Sequence, residues 1–542
     1  MDDLKKLSIE FAVDSATLAT FSHDASFFEV TPSAVVFPKN SDEVKRLVTF
    51  VSEKKKAGEN ISLTARSGGT CMSGGPLSTS IVLDCKKNLN KVIEVGDGYA
   101  ISEPGAYYRD FEKETLKKGM IMPSFPASRE ICAIGGMVSN NSGGEKTLTY
   151  GKTENYVEEL KMVFADGNEY SVKKLSMPEL EAKKAQNDFE GKLYRDMFSL
   201  IDSNYDLIQR SKPNVSKNSA GYFLWNVYDK AHGTFDLTRL IVGAQGTLGI
   251  NTQVRFRLIK PKKYSELMVV FLKDMNVLGY LAKEILKFGP ESFESYDDHT
   301  FKLAVKLFPQ MAKQMKGNMI SLGFAFLPEF WMVVSGGIPK LVLLAEFSGE
   351  SQEEAGKKAE DARQAIKKFK SKAKIFKTEK EMSKYWTIRR ESFNLLRKHV
   401  HGMRTAPFID DFVVHPQDLS TFLPELYAIL NRYDILYTIA GHVGDANFHI
   451  IPLMDLSRPD AKTIIENLSG EVYNLVFRYR GSMSGEHNDG LVRTPFLRQM
   501  YGKEVYRLFE KTKAIFDPLG IFNPGKKIGG DMGHALEYLV KK

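Results

Sequence analysis

Cysteine is nearly absent from this chain: Cys71, Cys85 and Cys132 are the only 3 in 542 residues, and none forms a Cys-x-x-Cys pair. An odd, scattered set cannot build a disulfide framework, and it falls one thiolate short of a four-cysteine iron–sulfur cluster. A reducing, cytoplasmic setting is the expectation. Long apolar runs are missing too. The most apolar stretch, Met319–Phe347, is interrupted by Pro328, Glu329, Gly336, Gly337, Pro339 and Lys340. Its pieces are well short of the roughly 20 residues that span a bilayer. The stretch reads as buried strand and helix, with a peripheral contact at the inner face of a membrane left open. The N-terminus starts acidic and has no apolar core of the kind a secretory signal carries. Charge of one sign is not in excess either. A net charge of +8 is modest for this length, and the lysines fall in helical runs such as Ser52–Ala57 and Lys367–Lys374. Solvated helix faces account for such runs, and no nucleic-acid module is present.

What is present is ordinary globular composition, 43% hydrophobic and 26% charged, in a chain too long for one hydrophobic core. The first half alternates strand and helix signals. Ala34–Phe37 reads as a short apolar strand, followed by a helix capped at Ser41 with Asp42 and Glu43 in its positive first turn. Ile61–Ala65 and Ile81–Leu83 are further strands. Tyr156–Phe164 and Glu169–Val172 form a hairpin about Asp166-Gly167, and Glu179–Ala185 and Gly191–Leu207 read as helices. The charged, proline-containing joint Lys260-Pro261-Lys262-Lys263 marks a boundary. Beyond it come a strand (Leu267–Leu272), a helix ending near Gly289-Pro290, then Leu341–Phe347 as strand and Glu353–Lys370 as helix. From Tyr501 a helix leads into a turn-rich tail. No internal repeat is evident.

Two glycine-rich loops stand out. The first runs from Thr64 to Gly75, with four glycines in eight residues; the second runs from Pro126 to Gly144. Glycines free the backbone to turn consecutive N–H groups towards an anion, and Arg66, Ser67, Thr70 and Ser73 add donors. Neither loop is a P-loop, because the lysine and hydroxyl residue after G-x-x-x-x-G are missing, and neither has Rossmann spacing. Either alone could be a tight turn. Together with Gly243–Ile250 they point to a bed for a phosphate-bearing cofactor.

The second half concentrates its chemistry in Gly441-His442-Val443-Gly444-Asp445-Ala446-Asn447-Phe448-His449 and Ser484-Gly485-Glu486-His487-Asn488-Asp489-Gly490. Glycines and β-branched flanks argue for strand–turn–strand about Gly444-Asp445, which could bring both imidazoles of the first piece to one point. Two histidines and a glutamate make a three-ligand metal site with an open position; satisfied core histidines are the alternative that spacing alone leaves open. A third piece, Tyr385–Glu391, reads as helix with Trp386 as a core anchor and Arg389 and Arg390 at its surface.

These residues resemble a known family. Arg66–Gly75, Glu103-Pro104-Gly105, Pro126–Gly144, Tyr150-Gly151 and Gly243–Ile250 match in order the FAD domain of the vanillyl-alcohol oxidase / p-cresol methylhydroxylase superfamily. The chain is most similar to the D-lactate, glycolate and D-2-hydroxyglutarate dehydrogenase branch, from roughly Ser33 to Ile528. The resemblance implies an α+β fold: a two-subdomain PCMH-type FAD-binding domain (1–261), then an α+β substrate or cap domain with a central antiparallel sheet (262–500). A C-terminal helical segment (501–542) would return to the FAD domain. It implies flavin contacts at Arg66, Ser67, Gly68, Gly69, Thr70, Met72, Ser73, Ser128, Gly135, Gly136, Asn140, Gly143, Gly246 and Ile250. Thr70 stands where some members carry a flavin-linking histidine, so FAD is expected to be non-covalent.

The same resemblance makes His442, His449 and Glu486 ligands of a divalent metal, zinc, and His487 the base. Arg389 would bind the substrate carboxylate through its planar fork, with Arg390 as the fallback. Ala446 and Asn488 depart from family glycines, and Asn488 could touch flavin or substrate. Ile409 stands where the D-2-hydroxyglutarate enzymes carry a lysine, which favours a monocarboxylate such as D-lactate. The implied reaction is FAD-dependent oxidation of a 2-hydroxy acid to the 2-oxo acid. Electrons would pass to a quinone, or to a separate iron–sulfur or electron-transfer protein. A homodimer is left open. The rivals are a transferase like alkyl-glycerone-phosphate synthase and a catalytically silent flavin subunit of a redox complex.

Overall fold

The computed structural model describes residues 2–298, 338–399 and 402–540. Residues 319–337 of the apolar Met319–Phe347 stretch therefore lie outside the described residues, whereas its end forms the strand Leu341–Gly349. Among the described residues no helix is long and apolar enough to cross a membrane.

Three sheets carry the site. The first has four strands in the order Phe11–Ala12, Ala34–Val36, Ile81–Asp84, Leu63–Arg66, and its last three are parallel. Ala34–Val36 and Ile81–Asp84 are buried at every position, as strands covered on both faces must be. The helix Ser41–Lys56 covers this sheet through Val44, Leu47, Val48 and Val51, which recur at helical spacing. Its cap is one residue earlier than expected, because the Asn40 side chain accepts from the Glu43 N–H at 3.0 Å. The second sheet is antiparallel: Val92–Val95, Tyr99–Ser102, Ile250–Arg257, Val157–Val163, Glu169–Lys173. Burial alternates along Ile250–Arg257, so one face turns inward with a period of two. The expected helix Gly191–Leu207 is two helices, Phe189–Ser203 and Tyr205–Ser211, broken where Asn204 leaves helical geometry.

The third sheet is the central antiparallel one. Its strands run Lys372–Phe376, Tyr264–Leu272, Leu341–Gly349, Ser292–Asp297, Leu436–His442, Asn447–Met454, Arg404–Thr405, with Phe412–Val413 also paired to Asn447–Met454. Helices Leu278–Leu286, Gln352–Ala365, Leu419–Leu430 and Ala461–Arg478 bury their apolar stripes against it in one large core. The C-terminal helix Leu497–Phe516 leaves this domain and packs Val505, Leu508, Phe509 and Phe516 into the core of the second sheet. Beyond it, the Asn523 side chain donates to Gly75 O (3.0 Å) and Gln245 O (2.7 Å), pinning the first and third glycine segments together. The chain is an α+β protein.

Candidate active site

The predicted hairpin is present: Leu436–His442, a single turn over Val443–Asp445, and Asn447–Met454. Its register pairs Ala440 with His449 and His442 with Asn447. Residues directly opposite in an antiparallel pair share a face, and so do residues two apart along a strand. Thr438, Ala440, His442, His449 and Ile451 therefore line one cavity from one face of the hairpin. The imidazole centroids of His442 and His449 are 5.2 Å apart. Ala446 takes a left-handed backbone (φ +49°) in the turn, the conformation for which glycine is the usual residue.

Glu486 completes the cluster. Its carboxylate lies 3.2 Å from His442 Nε2 and 3.9 Å from His449 Nε2. One ligand atom from each of these three residues falls within 4.8 Å of the others. Each histidine is held from behind by a carboxylate. Glu294, on the neighbouring strand Ser292–Asp297, meets His442 Nδ1 at 2.6 Å, and Asp410 meets His449 Nδ1 at 3.0 Å. Carboxylates that orient the far nitrogen are what a metal-binding imidazole requires, so this donor set fits a divalent ion such as zinc. Asp410 also reaches His487 Nδ1 at 2.5 Å.

Burial alone would lower the pKa of both His442 and His487. For His442 the Glu294 and Glu486 carboxylates reverse the shift and raise it to about 9; for His487 Asp410 and Asp411 do the same. A histidine pKa raised by folding stabilises the fold fully below its unfolded value, about 6.5. That stability is lost as the pH rises through about 9. The melting temperature of protein stripped of metal by chelation is therefore expected to fall across this window. A profile flat from pH 6 to 10 would show that neither imidazole carries a proton in the fold.

Several residues that make the site were not singled out in the sequence. Lys217 is wholly buried and donates to Glu486 at 2.7 Å, with Asp445 at 3.2 Å. Lys152, also buried, donates to Gly485 O and Asn218 O at 2.7 and 2.8 Å and to the Ser219 hydroxyl, anchoring the loop that carries Glu486. Asp411 accepts from the backbone N–H of Glu486 (2.9 Å) and of His487 (2.7 Å), and from the Ser484 hydroxyl (2.8 Å). The pair of adjacent aspartates after Phe408-Ile409 was the available signal; Glu294, in the mostly polar strand Ser292–Asp297, carried none. Nor did the two lysines.

The cavity that ends at this cluster has a volume of about 1040 Å³. Both glycine loops line it, and Gly246 does so from the third segment. Residues 32–173 match the FAD binding domain family, and residues 261–527 match the C-terminal domain of the FAD linked oxidases. The chain belongs to the FAD-linked oxidases. It is 27% identical over 525 residues to D-2-hydroxyglutarate dehydrogenase of Pseudomonas putida, covering 95% of this chain and 50% of that one. This FAD-linked oxidase thus spans half the length of that relative. It is also 26% identical to the glycolate oxidase subunit GlcD of Bacillus subtilis, over 96% of this chain and 94% of that one. Among solved structures, 4-ethylphenol oxidase from Gulosibacter chungangensis superposes with a TM-score of 0.67 at 17% identity, covering 95% and 94% of the two chains. That likeness is one of fold.

The residues of this FAD-linked oxidase fit an elongated, phosphate-bearing flavin. Cβ atoms added at Gly136 and Gly246 would meet only Ser67 Cβ at 3.7 Å and Ala65 Cβ at 4.0 Å, so space opens beside both backbones. Gly68 is the opposite case: a Cβ there would sit 3.0 Å from Ala133 N and Ile131 O, because the first loop packs directly on the second.

Of the residues expected at the cofactor, Arg66, Ser67, Gly68, Gly69, Thr70, Met72, Ser128, Gly135, Gly136, Asn140, Gly143 and Gly246 line the cavity. Ser73 and Ile250 do not. Ser73 braces the loop that carries Glu486 and His487 by donating to His487 O at 3.0 Å, and Ile250 is buried under the first sheet. Arg66 turns its guanidinium to the His23 and Phe21 carbonyls. His442, His449, Glu486, His487, Arg389 and Arg390 reach the same cavity. Arg389 lies 3.2 Å from Glu294, and Arg390 pairs with Glu145 at 2.6 Å.

Two expectations are corrected. Asn488 does not line the cavity: it is fully buried, with a left-handed backbone (φ +65°), and donates to Gly243 O at 2.8 Å. It ties the Ser484–Gly490 loop to the third glycine segment. Ile409 is also fully buried, in the core packed against the third sheet. Its identity therefore says nothing about the far end of a substrate, and the preference for a monocarboxylate loses its basis.

Proposed function

We propose that this chain oxidises a D-2-hydroxy acid to the 2-oxo acid with non-covalently bound FAD. The observation that carries the reading is the meeting, in one cavity, of the two glycine loops with His442, His449, Glu486 and His487. The names of the two relatives, one for D-2-hydroxyglutarate and one for glycolate, support the same substrate class.

FAD, when bound, supplies the acceptor for the hydride that leaves C2. His442, His449 and Glu486 would hold a divalent ion, zinc in this reading, which when bound lowers the pKa of a hydroxyl on it. The chain's own residues do the rest. His487 keeps Nδ1 on Asp410, so Nε2 is the atom that accepts the proton of the substrate hydroxyl once it has lost the proton that Asp410 and Asp411 hold on the ring up to about pH 9. Arg389 sits in the cavity beside Glu294 and offers its fork to the substrate carboxylate. Thr70, in the first loop, has no nucleophilic ring with which to tether the flavin. Electrons then leave to a quinone or to a separate iron–sulfur or electron-transfer protein. The three cysteines are free and buried, in keeping with a reducing cytoplasmic setting.

An anaerobic absorbance screen tests the proposal, using the D- and L-isomers of lactate and 2-hydroxyglutarate together with glycolate. Bleaching of the flavin by a D-isomer and not by its mirror image is the expected result, abolished by prior chelation of the metal. Bleaching by none of them would move the chain to the transferase reading, in which the flavin undergoes no net redox change.

A further inference from the structure

We propose that Asp410 is a shared positioning residue, whose single carboxylate sets the tautomer and orientation of both His449 and His487. The inference rests on the assignment of His449 as metal ligand and His487 as base. It adds that the two are set together rather than separately.

The geometry is unusual in using both oxygens of one buried carboxylate on two different imidazoles. Asp410 is 0% exposed; Oδ1 lies 3.0 Å from His449 Nδ1 and Oδ2 lies 2.5 Å from His487 Nδ1. An ionised carboxylate can only accept, so each Nδ1 must carry its hydrogen, and each neutral ring then presents a bare Nε2. For His449 that nitrogen faces Glu486, at 3.9 Å from its nearer oxygen. The rings themselves are 5.0 Å apart and inclined by 31°, so neither can turn without displacing the oxygen that holds the other.

The carboxylate is itself held. The Asp410 carbonyl accepts from the Arg493 guanidinium at 2.7 Å. The next residue, Asp411, has φ +73°, a left-handed conformation that aspartate takes more readily than most residues with a Cβ. That turn lets adjacent carboxylates do different work. Asp410 holds the two rings, and Asp411 holds the backbone N–H groups of Glu486 and His487.

The test compares the wild-type holoprotein with Asp410→Asn, which keeps the shape but turns one of the two acceptor oxygens into a donor, and with Asp410→Ala, which leaves neither ring an acceptor. Two readouts are taken: the affinity of metal-stripped protein for cobalt, followed by its visible bands, and the anaerobic rate of flavin reduction at saturating metal. Affinity should fall by about 10–100-fold, as for other carboxylates behind metal-bound histidines. Flavin reduction should fall by at least about 100-fold, because the base is left in the wrong tautomer. A loss in only one readout with Asp410→Ala, or in neither, overturns the shared role. The cobalt bands should survive His487→Ala; their disappearance would make His487 and Asp410 metal ligands and overturn it as well.

If wild-type protein shows no cobalt bands sensitive to His442→Ala, or no bleaching by any 2-hydroxy acid, the functional reading falls and takes this inference with it. If wild type does both and Asp410→Ala changes neither, only the positioning role falls. Should these variants fail to fold, tautomers are read in zinc-loaded wild-type protein labelled with ¹⁵N-histidine. Both rings are expected to carry Nδ1–H, and a neutral ring protonated at Nε2 alone at either position overturns the proposal.

Discussion

Glu486→Gln is expected to cost the protein its divalent ion and to slow flavin reduction at least about 1000-fold, the several kcal/mol that a Lewis acid contributes at a reacting hydroxyl. Bound FAD should remain. The substitution keeps the side chain's volume, so the loss would be one of charge. In the structure that charge is shared among His442, His449 and the Lys217 ammonium at 2.7 Å, and Lys217 is 0% exposed at its side chain. Removing one partner of a buried ion pair typically costs about 3–5 kcal/mol. Asp445 stays 3.2 Å from the same ammonium, which places the expected loss near the low end, about 3 kcal/mol. Lys217→Met in the same chain should recover much of that stability and none of the metal. The measurements are metal content after dialysis, stopped-flow flavin reduction, and urea unfolding of the two single variants and the double. Full metal content in Glu486→Gln would end the ligand assignment. A stability loss that adds independently of Lys217 would show that the pair is not coupled.

Two glycine substitutions should separate what the loops do for each other from what they do for the flavin. Gly136 lines the cavity, and a Cβ there meets nothing in the protein closer than 3.7 Å. Gly136→Ala should therefore leave the melting temperature of the flavin-free protein unchanged. FAD affinity should fall by roughly 10–100-fold, the cost of overpacking by a methyl group. A Cβ at Gly68 would lie only 3.0 Å from the backbone of the second loop, so a methyl there must push the loops apart. Gly68→Ala should lose FAD and also destabilise the flavin-free protein, by about 1–3 kcal/mol. Flavin fluorescence titration and thermal unfolding of both forms check the pair. Equal FAD affinity in Gly136→Ala and wild type would mean that the flavin does not lie against the second loop at that residue.

Much of the site was legible as residue types at short spacing. The turn at Gly444-Asp445, the face shared by His442 and His449, and the Glu486-His487 pair are local matters, because hairpin register and the alternation of a strand are set within about ten residues. The glycine loops announced themselves in the same way. What could not be read was anything depending on partners far apart in the chain. Lys217 looks like any lysine until the fold sets it on Glu486, 269 residues away. Glu294 gained its meaning only when its strand docked beside Leu436–His442. Asn488 and Ile409 show the same gap from the other side. Both sit next to or within a functional segment, and burial rather than sequence position decides that neither reaches the cavity.

The α+β architecture was what the resemblance to a family implied; the amino-acid sequence by itself determined most strands and helices, the glycine-rich bed for a phosphate-bearing cofactor and the residue types able to hold a metal and accept a proton. These are properties of periodicity, turn chemistry and short motifs, and they survive without knowing what packs on what. Only the tertiary structure decided which of those residues converge. It brought Asp410, Asp411, Glu294 and Lys217 to the cluster and took Ser73, Ile250 and Asn488 out of the cavity wall. The reason is physical. A buried charge persists only where the fold supplies its counter-charge and hydrogen bonds, and those partners come from strands and loops hundreds of residues apart.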